Sequence, residues 1–212
     1  MKSLLERLGI KNSRTKTAKV FESLFPENNF LEINCSTPRE YVKKYWDAYK
    51  SSPYFVESKS DNAKNSLNGS IFETIIYCLL YREGILPFYT QAQVAFVPNV
   101  NFDTILYRKA SPICLSLKTS LRERYKQADL EAIALKYVHR KAKCFLLTLD
   151  ELETININNK IVNGEVIGLD KVVDCHTEAL DDLIQYLKRE SFSISEKVDV
   201  VEGNLVNRID FQ

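Results

Sequence analysis

The sequence predicts an α/β fold in which a central mixed β-sheet is flanked by helices, and three observations carry that prediction. A helical periodicity runs from Ser70 to Gly84. Three strand-like runs then follow in quick succession. After them a charged helical run over 120–138 leads into the short apolar segment A-K-C-F-L-L-T-L at 142–149. The resulting order is helix, three-strand meander, helix, strand, which places helices against a sheet instead of segregating them.

Taken in chain order, the first clear element is S-T-P-R-E-Y-V-K-K-Y-W-D-A-Y-K at 36–50. A hydroxyl cap before Pro38 opens a helix, with Tyr41, Val42, Tyr45 and Tyr49 on one side. Residues 51–69 are rich in Ser, Asn and Lys and read as a loop. From Ser70, residues Ile71, Ile75, Ile76, Leu79 and Leu80 line one helical face, and Gly84 ends it. The strand runs are 92–98, 102–108 and 112–118, separated by polar or Pro/Asn-bearing turns. A capping box, Ser120-x-x-Glu123, opens the helix over 120–138. A weaker strand at 166–173 and a helix near 177–189 complete the pattern. This divides the chain into a helical N-terminal part (1–65), a core (66–190) and a C-terminal tail (191–212), packed as one compact domain.

Composition narrows the function. The chain has 212 residues, 45% of them hydrophobic and 27% charged, which are ordinary globular values. Glu6 and Arg7 interrupt the first apolar run too early for a signal peptide, and no stretch is long enough to span a membrane, so a cytoplasmic protein with no membrane partner is expected. The five cysteines are dispersed, odd in number and without a C-x-x-C pair, and so read as small reduced hydrophobes. Two histidines, His139 and His176, lack partners at metal-ligand spacing, which argues against a zinc site or a Ser-His-Asp enzyme. The net charge of +1 conceals a gradient: +4 over residues 1–60, +5 over 61–148 and −8 over 149–212. A basic first two-thirds suits a phosphate backbone as partner.

The chemistry concentrates at the end of the third strand run. Alternation puts Ser116 and Lys118 on one face, with Ile113, Leu115 and Leu117 on the other. Asp103 stands fifteen positions before Lys118, near the start of the preceding run. In a hairpin of that length the two side chains meet at one sheet edge. An ammonium beside a carboxylate serves hydrolytic phosphoryl chemistry: it holds or activates water and offsets charge developing on the phosphate. The main-chain carbonyl of Leu117 is an available oxygen ligand for Mg²⁺.

Asp103 followed by S-L-K at 116–118, within helix, strands, helix and strand, resembles the PD-(D/E)XK nuclease superfamily. The run T-S-L-R-E-R-Y-K-Q that follows is similar to that of type II restriction endonucleases. Phe102 stands where that pattern has Pro, and Ser116 where it has the second acid. A subgroup with S-x-K followed twelve or thirteen residues later by Glu uses that glutamate instead, and here twelve residues separate Lys118 from Glu131. Arg124, Gln127 and Glu131 share a helix face beside Ala128 and Leu135, which is what a migrated acid requires. The resemblance covers about 66–150 and implies a restriction-endonuclease-like core. It further implies that Asp103 and Glu131, joined by Glu73 on the preceding helix, bind one or two Mg²⁺ ions, while Lys118 positions or deprotonates the attacking water. The product would carry a 5′-phosphate, and a homodimer would cut both strands of a palindromic site in double-stranded DNA. Candidate DNA contacts are Ser116, Thr119, Arg122, Arg124, Lys126 and Gln127.

Each residue also has an ordinary role. Glu73 completes a capping box with Ser70, Asp103 ends a turn, Lys118 guards a sheet edge, and Glu131 is a solvated helix residue. Their joint order and spacing favour the nuclease reading. Two alternatives stand beside it: another nuclease of the superfamily, acting in repair, junction resolution or nicking, and a non-catalytic DNA-binding module that keeps the fold.

Overall fold

The computed structural model describes residues 3–56, 60–97, 99–109, 111–195 and 201–208. Four helices come first: α1 (Leu4–Arg7), α2 (Lys16–Leu24), α3 (Pro38–Lys50) and α4 (Pro53–Val56). In α3, Thr37 caps the Glu40 N–H and Pro38 occupies the first turn, while Tyr41, Val42, Tyr45 and Tyr49 are all buried. The Phe21 ring stacks on Tyr45 with centroids 4.7 Å apart, which ties α2 to α3.

The long helix α5 (Asp61–Arg82) starts nine residues earlier than its apolar stripe suggested. Ser60 is the cap, its hydroxyl accepting from the Ala63 N–H. The Ser/Asn-rich first turns are mostly exposed and read as a loop because they bury almost nothing before Leu67. Ser70 is therefore mid-helix, with its carbonyl accepting from the Thr74 hydroxyl. The capping box expected between Ser70 and Glu73 does not form, and Glu73 has no capping role there. From Ile71 onward the helix is buried nearly all round, and it ends at Gly84, whose φ of +72° is one that glycine adopts without strain.

Six strands form one mixed sheet in the order β5-β4-β3-β2-β1-β6. β1 (Phe88–Val94) lies four residues before the expected 92–98, because the chain turns away at 95–97, where Phe96 has φ +64° and is exposed. The last residue of that expected strand, Pro98, lies outside the described residues. β2 (Phe102–Leu106) and β3 (Ile113–Leu117) complete the antiparallel meander, with Thr104 opposite Leu115 and Ile105 opposite Cys114. Next comes α6 (Arg124–Val138), then β4 (Lys143–Thr148) parallel to β3, α7 (Glu151–Val162), β5 (Lys171–Asp174) parallel to β4, and α8 (Glu178–Lys188). β6 (Val201–Val206) returns antiparallel to β1.

The predicted helix over 120–138 loses its first turn. Ser120 makes no cap, Arg122 has φ +25°, and Glu123 precedes the helix without a side-chain capping bond. The fully buried Leu121 anchors this turn. α7 was not anticipated: Leu152, Ile155 and Val162 are exposed, while Thr154 and Ile157 are its buried positions, so its apolar residues do not trace the packed face.

Alternation along the strands divides the core. Leu106, Ile113, Leu115, Leu117 and Leu147 pack towards α2, α3, α5 and α8. Ile105, Cys114, Cys144 and Leu146 pack towards α6 and α7. The five cysteines are free thiols, and all but Cys35 are buried. No helix among the described residues is long and apolar enough to cross a membrane.

Candidate active site

The site forms where β2 begins and β3 ends. Lys118 Nζ lies 2.8 Å from Asp103 Oδ2, and the same oxygen accepts the Leu117 main-chain N–H at 2.7 Å. The two side chains are only 16% and 12% exposed, so this ion pair is partly shielded from water. The hairpin register explains the meeting. Carrying the pairing of Thr104 with Leu115 one step on sets Asp103 beside Ser116, on the face that Lys118 shares.

The Asp103 backbone is held as well, because the Tyr77 hydroxyl of α5 donates to its carbonyl at 2.8 Å. The Lys118 N–H donates to the Leu147 carbonyl of β4. A trans peptide sets each carbonyl opposite the next N–H. The Leu117 carbonyl therefore faces away from β4, to the side where Asp103 lies.

Two further acids border this pair. Glu131 on α6 accepts a bond from Gln127 at 2.8 Å. Burial pushes its carboxyl above the ordinary glutamate value; the Gln127 bond and the Lys118 charge oppose that rise, and the Asp103 charge adds to it. Glu73 on α5 is raised too, first by burial and then by Asp103, while Lys11 and Lys118 act against the rise. Glu73 on α5 and Glu131 on α6 thus each feel the charges of Asp103 and Lys118. Burial that disfavours two carboxylates beside a third is the electrostatic condition of a cation-binding cleft.

The candidate DNA contacts separate into groups. Thr119, Arg122 and Arg124, with Ser120, Asn65 and Asp150, line an open polar cleft of about 440 Å³ next to Lys118. Both arginines are exposed. Gln127 is tied to Glu131. Lys126 is exposed and pairs with Glu123 one turn back. Ser116 is 4% exposed, enclosed within the sheet.

Reasoning from sequence missed Tyr77 and Lys11. Tyr77 follows Glu73 by one helical turn, a spacing that could have suggested it. Nothing local pointed to Lys11, whose Nζ comes within 3.9 Å of Glu73 Oε2 from sixty-two positions away.

For Mg²⁺ the donor chemistry is suitable: carboxylates and a main-chain carbonyl are hard oxygen ligands. Among the described residues, no three His, Cys, Asp or Glu side chains form a ready metal cluster. The residues fit an ion held through one or two carboxylates and otherwise hydrated, which is the usual habit of Mg²⁺, better than a closed protein cage.

No protein-family model matches the sequence, and no curated protein does. Among solved structures, the chain is similar to the restriction endonuclease PspGI in complex with its substrate DNA. The TM-score is 0.58 and the identity 22%, over 88% of this chain and 84% of that one. The six-stranded mixed sheet flanked by helices is thus the restriction-endonuclease fold, and the Lys118–Asp103 pair sits where its β2 begins and β3 ends.

Proposed function

We propose that the protein is a Mg²⁺-dependent endonuclease of duplex DNA, of the type II restriction kind. The observation that carries this reading is the shielded Lys118–Asp103 contact at the open end of β2 and β3, within electrostatic reach of Glu131 and next in sequence to a cleft lined by Thr119, Arg122 and Arg124. Asp103 and Glu131, with the Leu117 carbonyl, would hold the ion, and Glu73 borders them. When bound, the ion would supply Lewis-acid stabilisation of charge on the phosphate.

The chain's own residues do the rest. Lys118 orients the attacking water and offsets charge building on the non-bridging oxygens. Asp103 fixes the ammonium in place, and Tyr77 fixes Asp103. Gln127 holds the Glu131 carboxylate. Thr119, Arg122 and Arg124 line the wall along which a phosphate backbone would run, with Lys126 further out on α6. In-line displacement leaves a 5′-phosphate and a 3′-hydroxyl. Cutting both strands calls for two such sites, hence a homodimer on a palindromic sequence.

The test is digestion of a long duplex of known sequence with Mg²⁺, followed by end mapping. Discrete fragments with 5′-phosphates are expected. Cleavage that follows DNA structure and not sequence would move the reading to a repair or junction nuclease. Ser116, standing where the second acid belongs, favours one further alternative, a binding module without chemistry. DNA binding with no cleavage under any divalent ion would establish it.

A further inference from the structure

Lys11 enters the site on a rigid support. The Ile10 and Lys11 N–H groups both donate to the Leu5 carbonyl, at 2.9 and 3.2 Å, and Ile10 is buried in the core. Between α1 and Ile10 the chain passes through Gly9 at φ +72°, where a Cβ would lie 2.9 Å from the Leu205 carbonyl oxygen of β6. This turn fits only glycine. It pins the N-terminal segment against the last strand and sends the Lys11 side chain, 22% exposed, towards Glu73. Lys11 and Tyr77 also line one cleft of about 380 Å³ with Asn12, Thr15, Thr90 and Gln91.

The charges at the site then form two matched pairs and one remainder. Asp103 has Lys118 at 2.8 Å, Glu73 has Lys11 at 3.9 Å, and Glu131 has the neutral Gln127. Three carboxylates against two ammonium groups leave one negative charge. One divalent ion turns that into a single positive charge, matched to one phosphodiester. Two ions would leave three positive charges in a partly desolvated site, a costly excess.

Resting on the endonuclease reading above, we propose that each chain takes a single divalent cation, with Lys11 as the built-in second cation that satisfies Glu73 and keeps it from acting as a metal ligand. The tethered ammonium does what a second ion would do at that corner of the cleft: it neutralises Glu73 and adds positive charge beside the bound phosphate.

The experiment is Mn²⁺ titration of the full chain, with bound and free ion counted by electron paramagnetic resonance, on wild type, Lys11→Met, Lys11→Arg and Glu73→Gln, each checked for folding by thermal melting. The wild type and Lys11→Arg are expected to bind one ion per chain. Since Glu73 is not itself a ligand, Glu73→Gln should still bind one ion, more weakly than wild type because the Lys11 charge is then unpaired. Lys11→Met should bind two, because an unpaired Glu73 then faces Asp103. Two ions on the wild type, a count of one on folded Lys11→Met, or no ion on folded Glu73→Gln would each overturn the inference while leaving the endonuclease reading intact. No ion on the wild type would instead remove the metal-dependent reading itself, and this inference with it. Should Lys11→Met not fold, the ion counts on wild type and on Glu73→Gln still decide.

Discussion

Lys118 and Asp103 hold each other at 2.8 Å in a setting where water reaches little of either. Removing either partner strands the other's charge and, on the proposed function, takes away a group that would act on the reacting phosphate. Lys118→Ala and Asp103→Asn should each lower the cleavage rate by roughly 10³-fold with DNA affinity changed only a few-fold, as measured by single-turnover cleavage beside a binding assay. Undiminished cleavage by Asp103→Asn would refute the site. Glu131 makes a different prediction. Burial raises its folded pKa above the ordinary 4.5, so the folded state favours the protonated form. The stability this confers is complete below the unfolded value and is lost as pH climbs through the folded value. Glu131→Gln, inactive on the proposed function, should be more stable than wild type at pH 8, an advantage that vanishes near pH 4 in parallel thermal melts. The Lys118–Asp103 contact was legible in the sequence because strand alternation is a local rule that survives folding. Lys11 was not, since its partner depends on where a distant segment docks.

At the scale of elements, the site depends on how α6 lies against the sheet. Its Ala128, Ala132 and Leu135 are buried, and Asp129 accepts the main-chain N–H groups of Gly168 and Leu169 at 2.6 and 3.1 Å, tying the helix to the loop before β5. Gly168 is needed for that approach. A Cβ there would collide with the Asp129 main-chain oxygen and lie 2.8 Å from the Ile133 nitrogen, both backbone atoms that cannot swing aside. Gly168→Ala should destabilise the fold by about 2–3 kcal/mol. Because Glu131 is two residues from Asp129, it should also cut the cleavage rate at least tenfold below the melting range, which calorimetry and cleavage assays together would establish. The helix starts were the least legible part. Ser70 and Ser120 both precede an acid at capping-box spacing, yet neither caps a helix. In α5 the helix already runs upstream under Ser60, and at α6 the buried Leu121 and the left-handed Arg122 delay the first turn. Tertiary packing outweighs a cap of about 1 kcal/mol.

At the scale of the molecule, the turn at Gly9 and the last described strand meet at the same edge of the sheet. β6 pairs along β1, Val206 is fully buried in the core, and the turn carrying Lys11 leans on Leu205. A chain ending at residue 195 would bare the β1 edge, remove that support and expose apolar surface. It should lose more than about 3 kcal/mol of stability and aggregate, as chemical denaturation and light scattering would detect. Nothing in the residues after 190 announces this strand, because an edge strand with a glycine at 203 gets its pairing from a neighbour more than a hundred positions away. By itself the sequence determined the α/β class, the meander, the strand-end lysine with its aspartate, and the acid twelve residues further on. Each of these follows from period-two or period-3.6 geometry over short spans. Only the tertiary structure decided the true helix starts, the sixth strand, the burial of Ser116 and the arrival of Lys11 beside Glu73. Those depend on contacts between segments far apart in the chain, which local periodicity does not encode.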